Sequence, residues 1–277
     1  MNETKRELSE LLRRHDLLRS VLIAGKVPDA GFRLDAYVDR VLEMASRIWN
    51  KAGKMRNDSV LTFEIMRGVV FEEFGCQGKG EKTKEVFDDP QRYFLHRVLD
   101  GGQSCNLSMA LLYAILAEQV GVSYECVVVP NQYFLKIKDV AQDFYVYPYD
   151  NGKLLNQEEF QKKFRITMNR SRMLSTSLFE KLTPYELIGR VFQQLKHTYI
   201  LKGNALEALR AVEMLTTLYP QSVELTRDRG ILYCEMEYFS KAIVDLKAYL
   251  KQRPNADDIP EIKKLTSMIK GYREIVN

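Results

Sequence analysis

The stretch GGQSCNLSMALLYAILAEQVGV, residues 101–122, decides how the rest of the chain is read. Counted along a helix, Cys105, Met109, Leu112 and Leu116 share one face, while Leu107, Leu111 and Ala114 cover another. A helix apolar nearly all round is buried on most sides, so this one is predicted to run through the middle of a core. Its strongly apolar part, MALLYAILA, falls well short of the roughly 20 residues that a membrane span needs. The chemistry changes at Gly121. Residues 123–129 (SYECVVV), 132–138 (QYFLKIK) and 143–149 (DFYVYPY) are short and rich in β-branched and aromatic side chains. They are separated by the turn signals PN and KDVAQD and followed by DNG, a pattern that predicts an antiparallel meander packed on the helix. Helix first and strands afterwards make an α+β core.

Upstream, apolar residues recur at helical spacing from Lys5 to about Arg56, with Leu8, Leu11 and Leu12 in one segment and Leu34, Val38, Val41, Leu42 and Ala45 in another. Glycine and proline between Gly25 and Gly31 interrupt them. A further helix is predicted from Val60 to Phe74, stopped by Gly75 in a left-handed cap. The polar stretch 76–90, CQGKGEKTKEVFDDP, reads as a surface loop in which Asp88 and Asp89 form a solvated turn. A short helical piece, YFLHRVLD, leads into the core helix.

Downstream the chain is helical again and repeats. Pro220 and Pro254, Tyr199 and Tyr233, and Ala208 and Ala242 each stand 34 residues apart. A 34-residue period with a closing proline and a small alanine in the second helix of each unit is the tetratricopeptide pattern. Gly230 occupies the close-packing position of the second unit, whereas Lys196 stands where the first unit is expected to hold glycine. Two such units and a last helix, IPEIKKLTSMIKGYREI, are too few for a free solenoid and are expected to dock on the core.

Composition sets outer bounds. A chain of 277 residues is long for one helical domain, and the boundaries fall at 1–182 for the helical N-terminal region with the α+β core and 183–277 for the repeats. The net charge of +4 is scattered through short basic groups, which argues against a nucleic-acid partner. Four cysteines, Cys76, Cys105, Cys126 and Cys234, lie far apart with no C-x-x-C pair, so neither a metal site nor a disulfide framework is expected. No motif calls for a cofactor. The charged start MNETKRELSE, without a signal-like apolar run, and the cysteine usage lead us to expect a soluble protein of the reducing cytoplasm with no membrane association.

The order FEEFG, a DDP loop, FLHRVL, a glycine-led turn into LSMALLYAILAEQVGV, then VPNQYFLKI, YPYDNGKLL and paired tetratricopeptide units resembles the bacterial family of regulators of sirC expression. The likeness covers roughly residues 30 to 255. It implies a transglutaminase-like domain followed by tetratricopeptide repeats. It also implies a nucleophilic cysteine at the helix start, a histidine on the second strand and an aspartate on the third. Here the helix start reads GQSCNLS and supplies Cys105, but Gln132 stands at the histidine position and Tyr147 at the aspartate position.

Two readings of Cys105 follow. A helix N-terminus stabilises negative charge and favours a thiolate. A thiol hydrolase or acyl transferase also needs a titrating base with an orienting partner, which Gln132 and Tyr147 cannot provide. Of the three histidines, His15 and His197 lie among solvating charges, and His96, nine residues before the cysteine, is the alternative base; otherwise it is a partly exposed helix residue. The other reading makes Cys105 a small buried side chain on the apolar stripe. Gln103, Asn106, Gln132 and Tyr147, with Ser104, would then line a polar cleft, and a cleft without a base is a binding site before it is a catalyst. Tyr145, Tyr147 and Tyr149 alternate and are expected on one strand face, packed under helices. The function expected on balance is non-enzymatic capture of a protein or peptide partner.

Overall fold

The computed structural model describes residues 2–29, 31–55, 57–78, 89–129, 132–138, 142–167 and 180–276. Most of the expected loop 76–90, Asp88 included, lies outside them, as do Pro130 and Asn131 and the middle of the KDVAQD turn.

The helices are α1 (Asn2–Arg13), α2 (Leu17–Leu22), α3 (Leu34–Ala52), α4 (Ser59–Arg67), α5 (Leu95–Leu99) and α6 (Asn106–Val120). Strands β1 (Glu125–Val129), β2 (Gln132–Lys138), β3 (Asp143–Tyr147) and β4 (Lys153–Asn156) follow, then α7 (Gln157–Thr167) and β5 (Glu180–Leu182). The chain ends in α8 (Pro184–Leu201), α9 (Ala205–Leu218), α10 (Val223–Glu235), α11 (Phe239–Gln252) and α12 (Ile259–Val276). They gather into two compact units, Leu11–Val191 and Met1–Glu10 with Phe192–Asn277.

In the first unit, α6 is the core element. All its residues from Leu107 to Ala117 are buried, and it packs against α3, α5 and β2. It stops where a glycine can supply the left-handed turn, with Gly121 at φ 74. Asp58 caps α4 by accepting from the Leu61 N–H at 2.9 Å. The chain then continues through a π-helical turn, Gly68–Glu73, so the predicted helix 60–74 is real in extent but changes pitch at Gly68.

The sheet is antiparallel throughout, in the order β4-β3-β2-β1-β5. The three predicted strands form its centre, in a register that sets Cys126 opposite Leu135 and Leu135 opposite Val146. Both faces of the central strands are covered: Leu135 and Val146 on one face are fully buried, and Phe134 and Tyr147 on the other are 1% and 2% exposed. Phe160 of α7 closes the second face, edge-on to Phe134 at 5.2 Å and stacked on Tyr145 at 3.7 Å. Strand β3 ends at Tyr147, two residues earlier than predicted, because Pro148 opens a turn that carries Tyr149 off the strand.

In the second unit, α9, α10, α11 and α12 pack each on the next. Ala208 and Ala242 are fully buried, and Pro220 and Pro254 follow the ends of α9 and α11. A Cβ on Gly230 would stand 2.9 Å from two side-chain atoms of Leu246, so α10 and α11 approach as closely as the repeat pattern requires. Lys196, where the first repeat lacks that glycine, reaches Asp228 at 2.6 Å. The pair Arg229 and Asp245 adds a two-pronged bond at 2.7 and 2.8 Å.

Candidate functional site

The start of α6 is built by its own first residues. Cys105 is the N-cap, with extended backbone. The Ser108 N–H donates to its Sγ at 3.4 Å, and the Cys105 N–H donates to Ser108 Oγ at 3.0 Å, a capping box in which sulfur takes the place usual for oxygen. Cys105 is 6% exposed. Burial pushes its thiol pKa up, against the bonds from Ser108 and Leu107 and the charge of Arg92, which pull it down. The helix N-terminus therefore does not prevail: desolvating a thiolate outweighs the few bonds offered to it.

Around this cap the backbone is laced together. Gln77 and Gln103 form an isolated parallel bridge, and the Ser104 hydroxyl donates to the Gln77 carbonyl at 2.6 Å. Asn106 Oδ1 accepts from the Tyr133 N–H at 3.2 Å, which ties the helix start to β2. Strand alternation puts Gln132 on the same face as Phe134, and Phe134 stacks on Tyr147 at 4.5 Å. The positions that the family resemblance assigns to histidine and aspartate thus share one sheet face. Gln132 borders the helix start, while the Tyr147 ring lies in the core, with Lys163 Nζ 4.3 Å from its centre. Tyr147 therefore packs the sheet where the sequence had suggested a cleft wall.

His96 is not the partly exposed helix residue expected. It is 7% exposed, and its ring sits against Phe32, Phe94 and Tyr37 at centroid distances of 4.7, 5.5 and 5.6 Å. Burial first, and the nearby Arg97 charge second, lower its pKa to about 4. Its environment is an aromatic nest, whereas the Cys105 thiol is engaged by Ser108, so the structure does not pair the two. His15 lies edge-on to Tyr185 at 5.9 Å, and His197 is exposed in the other unit. Among the described residues no group of three His, Cys, Asp or Glu side chains is placed to hold a metal ion, and no helix is long and apolar enough to cross a membrane.

Sequence reasoning missed Arg92. It stands in a 3₁₀ turn, Pro90–Tyr93, capped by Asp89, and is 8% exposed. One guanidinium nitrogen, Nη2, donates to Gln103 Oε1. Among the described residues, Nε and Nη1 have no hydrogen-bond partner, and neither has the buried Oε1 of Gln132. Nothing in DDPQRYFL distinguishes a buried arginine from a solvated one, so no sequence signal was available.

The sequence profile of the transglutaminase-like superfamily matches residues 33–193, and a tetratricopeptide-repeat profile matches residues 195–266. The chain is 22% identical to protein SirB1 of Salmonella typhimurium over 194 residues, covering 70% of this chain and 72% of that one. It is 23% identical to a UPF0162 protein of Vibrio cholerae, covering 75% of each chain, and 22% identical to a UPF0162 protein of Xylella fastidiosa, covering 70% of this chain and 69% of that one. No solved structure matches.

Proposed function

Because the chain belongs to the transglutaminase-like superfamily and joins that domain to tetratricopeptide repeats, we propose that it is a non-catalytic protein- or peptide-binding protein with a regulatory role. Its cleft is the polar surface around Cys105, Gln103, Asn106 and Gln132, and the repeats hold a second part of the partner. The observation that carries this reading is the state of Cys105. Its sulfur is an acceptor in a helix cap, its pKa is raised, and its side-chain partner is Ser108 where a cysteine hydrolase needs an imidazole. The orphaned donors and acceptor of Arg92 and Gln132 add polar atoms of the kind that a bound chain satisfies. Tetratricopeptide arrays commonly present concave surfaces to other proteins, which supports the second half of the reading.

The test is a peptide selection on the intact protein, followed by affinity measurement on variants. Cys105→Ala retains affinity within about twofold, whereas Asn106→Asp together with Gln132→Ala loses about tenfold, or about 1.4 kcal/mol. Loss of binding in Cys105→Ala, or a covalent adduct on Cys105 after incubation with an activated ester, overturns the reading in favour of a cysteine-dependent amide hydrolase or acyl transferase.

A further inference from the structure

Arg92 is an uncommon feature of the start of α6. A guanidinium cannot be neutralised by losing its proton, so once buried it needs acceptors. Here the side chain is 9% exposed, yet one of its three nitrogens is bonded, to the neutral amide of Gln103, and among the described residues Nε and Nη1 are unmatched. Among the described residues a carboxylate oxygen, Asp89 Oδ2, stands 3.9 Å from Nε, beyond hydrogen-bond range. The other Asp89 oxygen is engaged, accepting from the Gln91 N–H at 3.0 Å. The bond to Gln103, two residues before the N-cap Cys105, places Arg92 at the N-terminal end of α6, where the helix dipole also favours an anion. A second orphan lies by the same helix start: Gln132 Oε1, a buried acceptor one residue before the Tyr133 N–H that bonds Asn106.

We propose that Arg92 is a carboxylate-recognition residue of this cleft, and that the ligand is a peptide bearing an acidic group. The proposal rests on the peptide-binding reading and specifies its ligand. The unmatched groups select the chemistry. Two guanidinium nitrogens call for an anionic acceptor, and the Gln132 carbonyl calls for an N–H donor. A peptide carries both on one molecule, whereas sulfate carries only the first. The carboxylate comes either from an aspartate or glutamate side chain or from a chain terminus, and the two sources are separable by experiment.

The experiment is a titration of the full-length ¹⁵N-labelled protein, following the Arg92 Nε–H resonance, assigned by its disappearance in Arg92→Lys. The probes are acetyl-Gly-Glu-Gly-amide, its neutral glutamine counterpart, the same glutamine peptide with a free C-terminal carboxylate, and sodium sulfate. One carboxylate peptide shifts the Arg92 resonance and binds at least tenfold more tightly than the neutral peptide, and Arg92→Lys weakens it about tenfold. Whichever carboxylate peptide is favoured identifies the source. Equal binding of the neutral and acidic peptides overturns the proposal. If the neutral peptide perturbs Asn106 and Gln132 while Arg92 stays silent, the peptide cleft stands and the carboxylate subsite falls. If sulfate shifts Arg92 and no peptide perturbs the cleft, both fall. The wild-type titration decides among these results even where the variant folds poorly.

Discussion

Cys105 and Ser108 cap the central helix reciprocally, the Ser108 N–H meeting Sγ at 3.4 Å while the Cys105 N–H meets Ser108 Oγ at 3.0 Å. The thiol that a catalytic reading would assign to nucleophilic attack is thereby part of the scaffold. Removing it in Cys105→Ala leaves the first turn of α6 short of an acceptor and costs about 1 kcal/mol, as loss of an N-cap does. Cys105→Ser, which supplies a better acceptor in the same place, costs less than the alanine variant. Chemical denaturation of the three proteins checks the order.

Acid sensitivity should come from His96. Its folded pKa of about 4 lies below the unfolded value of about 6.5, so between those values the unfolded chain binds the extra proton. Stability therefore rises with pH across that window and is lost as pH falls from about 6.5 towards 4, by at most about 1.4 kcal/mol per pH unit. His96→Phe keeps an aromatic ring beside Phe32 and Phe94 and removes the titration. Denaturation midpoints measured from pH 4 to 7 flatten in the variant if the nest is as described.

Close approach of α10 and α11 depends on the absence of a side chain at position 230. In Gly230→Ala the new methyl meets Leu246 at 2.9 Å and Asp245 Cβ at 3.1 Å, both well-packed groups. The helices must part, at a cost of about 1–3 kcal/mol. A thermal melt of the full chain shows the loss.

Gly152 carries a double constraint. Its φ of +68 is a conformation that other residues rarely hold, and a Cβ there would collide with the Tyr113 hydroxyl and approach Arg67 Cγ at 3.2 Å. Gly152→Ala is expected to destabilise by about 2–4 kcal/mol, from strain and overlap together. Adding Tyr113→Phe recovers part of that loss by removing the hydroxyl from the point of collision. That hydroxyl is buried with no hydrogen-bond partner among the described residues, so its removal alone costs little.

Much of the fold was legible because its signals are local. The apolar run of α6, Gly121 at its end and the β-branched strands before and after the turns are properties of neighbouring residues. The 34-residue period is likewise visible without a structure, and Gly230 behaves as that period predicts. Strands β4 and β5 were not legible. They span four and three residues, too few for alternation to register, and β5 exists because it pairs with β1 more than fifty residues earlier in the chain. His96 was misplaced for a related reason: its burial comes in part from Phe32 and Tyr37, 64 and 59 residues earlier in the chain, which no local pattern reveals. At the candidate site, Cys105 was found by its place just ahead of the apolar helix, Gln132 by resemblance, and Asn106 as a polar atom of the helix start. Arg92 was found only in three dimensions, since its meaning lies in the acceptors it lacks.

The most direct test of a non-catalytic cleft is the pH dependence of iodoacetamide labelling at each cysteine of the folded protein, read by peptide mass spectrometry. Cys234, the one cysteine that is not buried, should label first, and Cys105 should resist modification at pH 7 to 8 because burial keeps its thiol protonated. Rapid and selective labelling of Cys105 with an apparent pKa below the ordinary value of about 8.5 would contradict the account and make the residue a nucleophile.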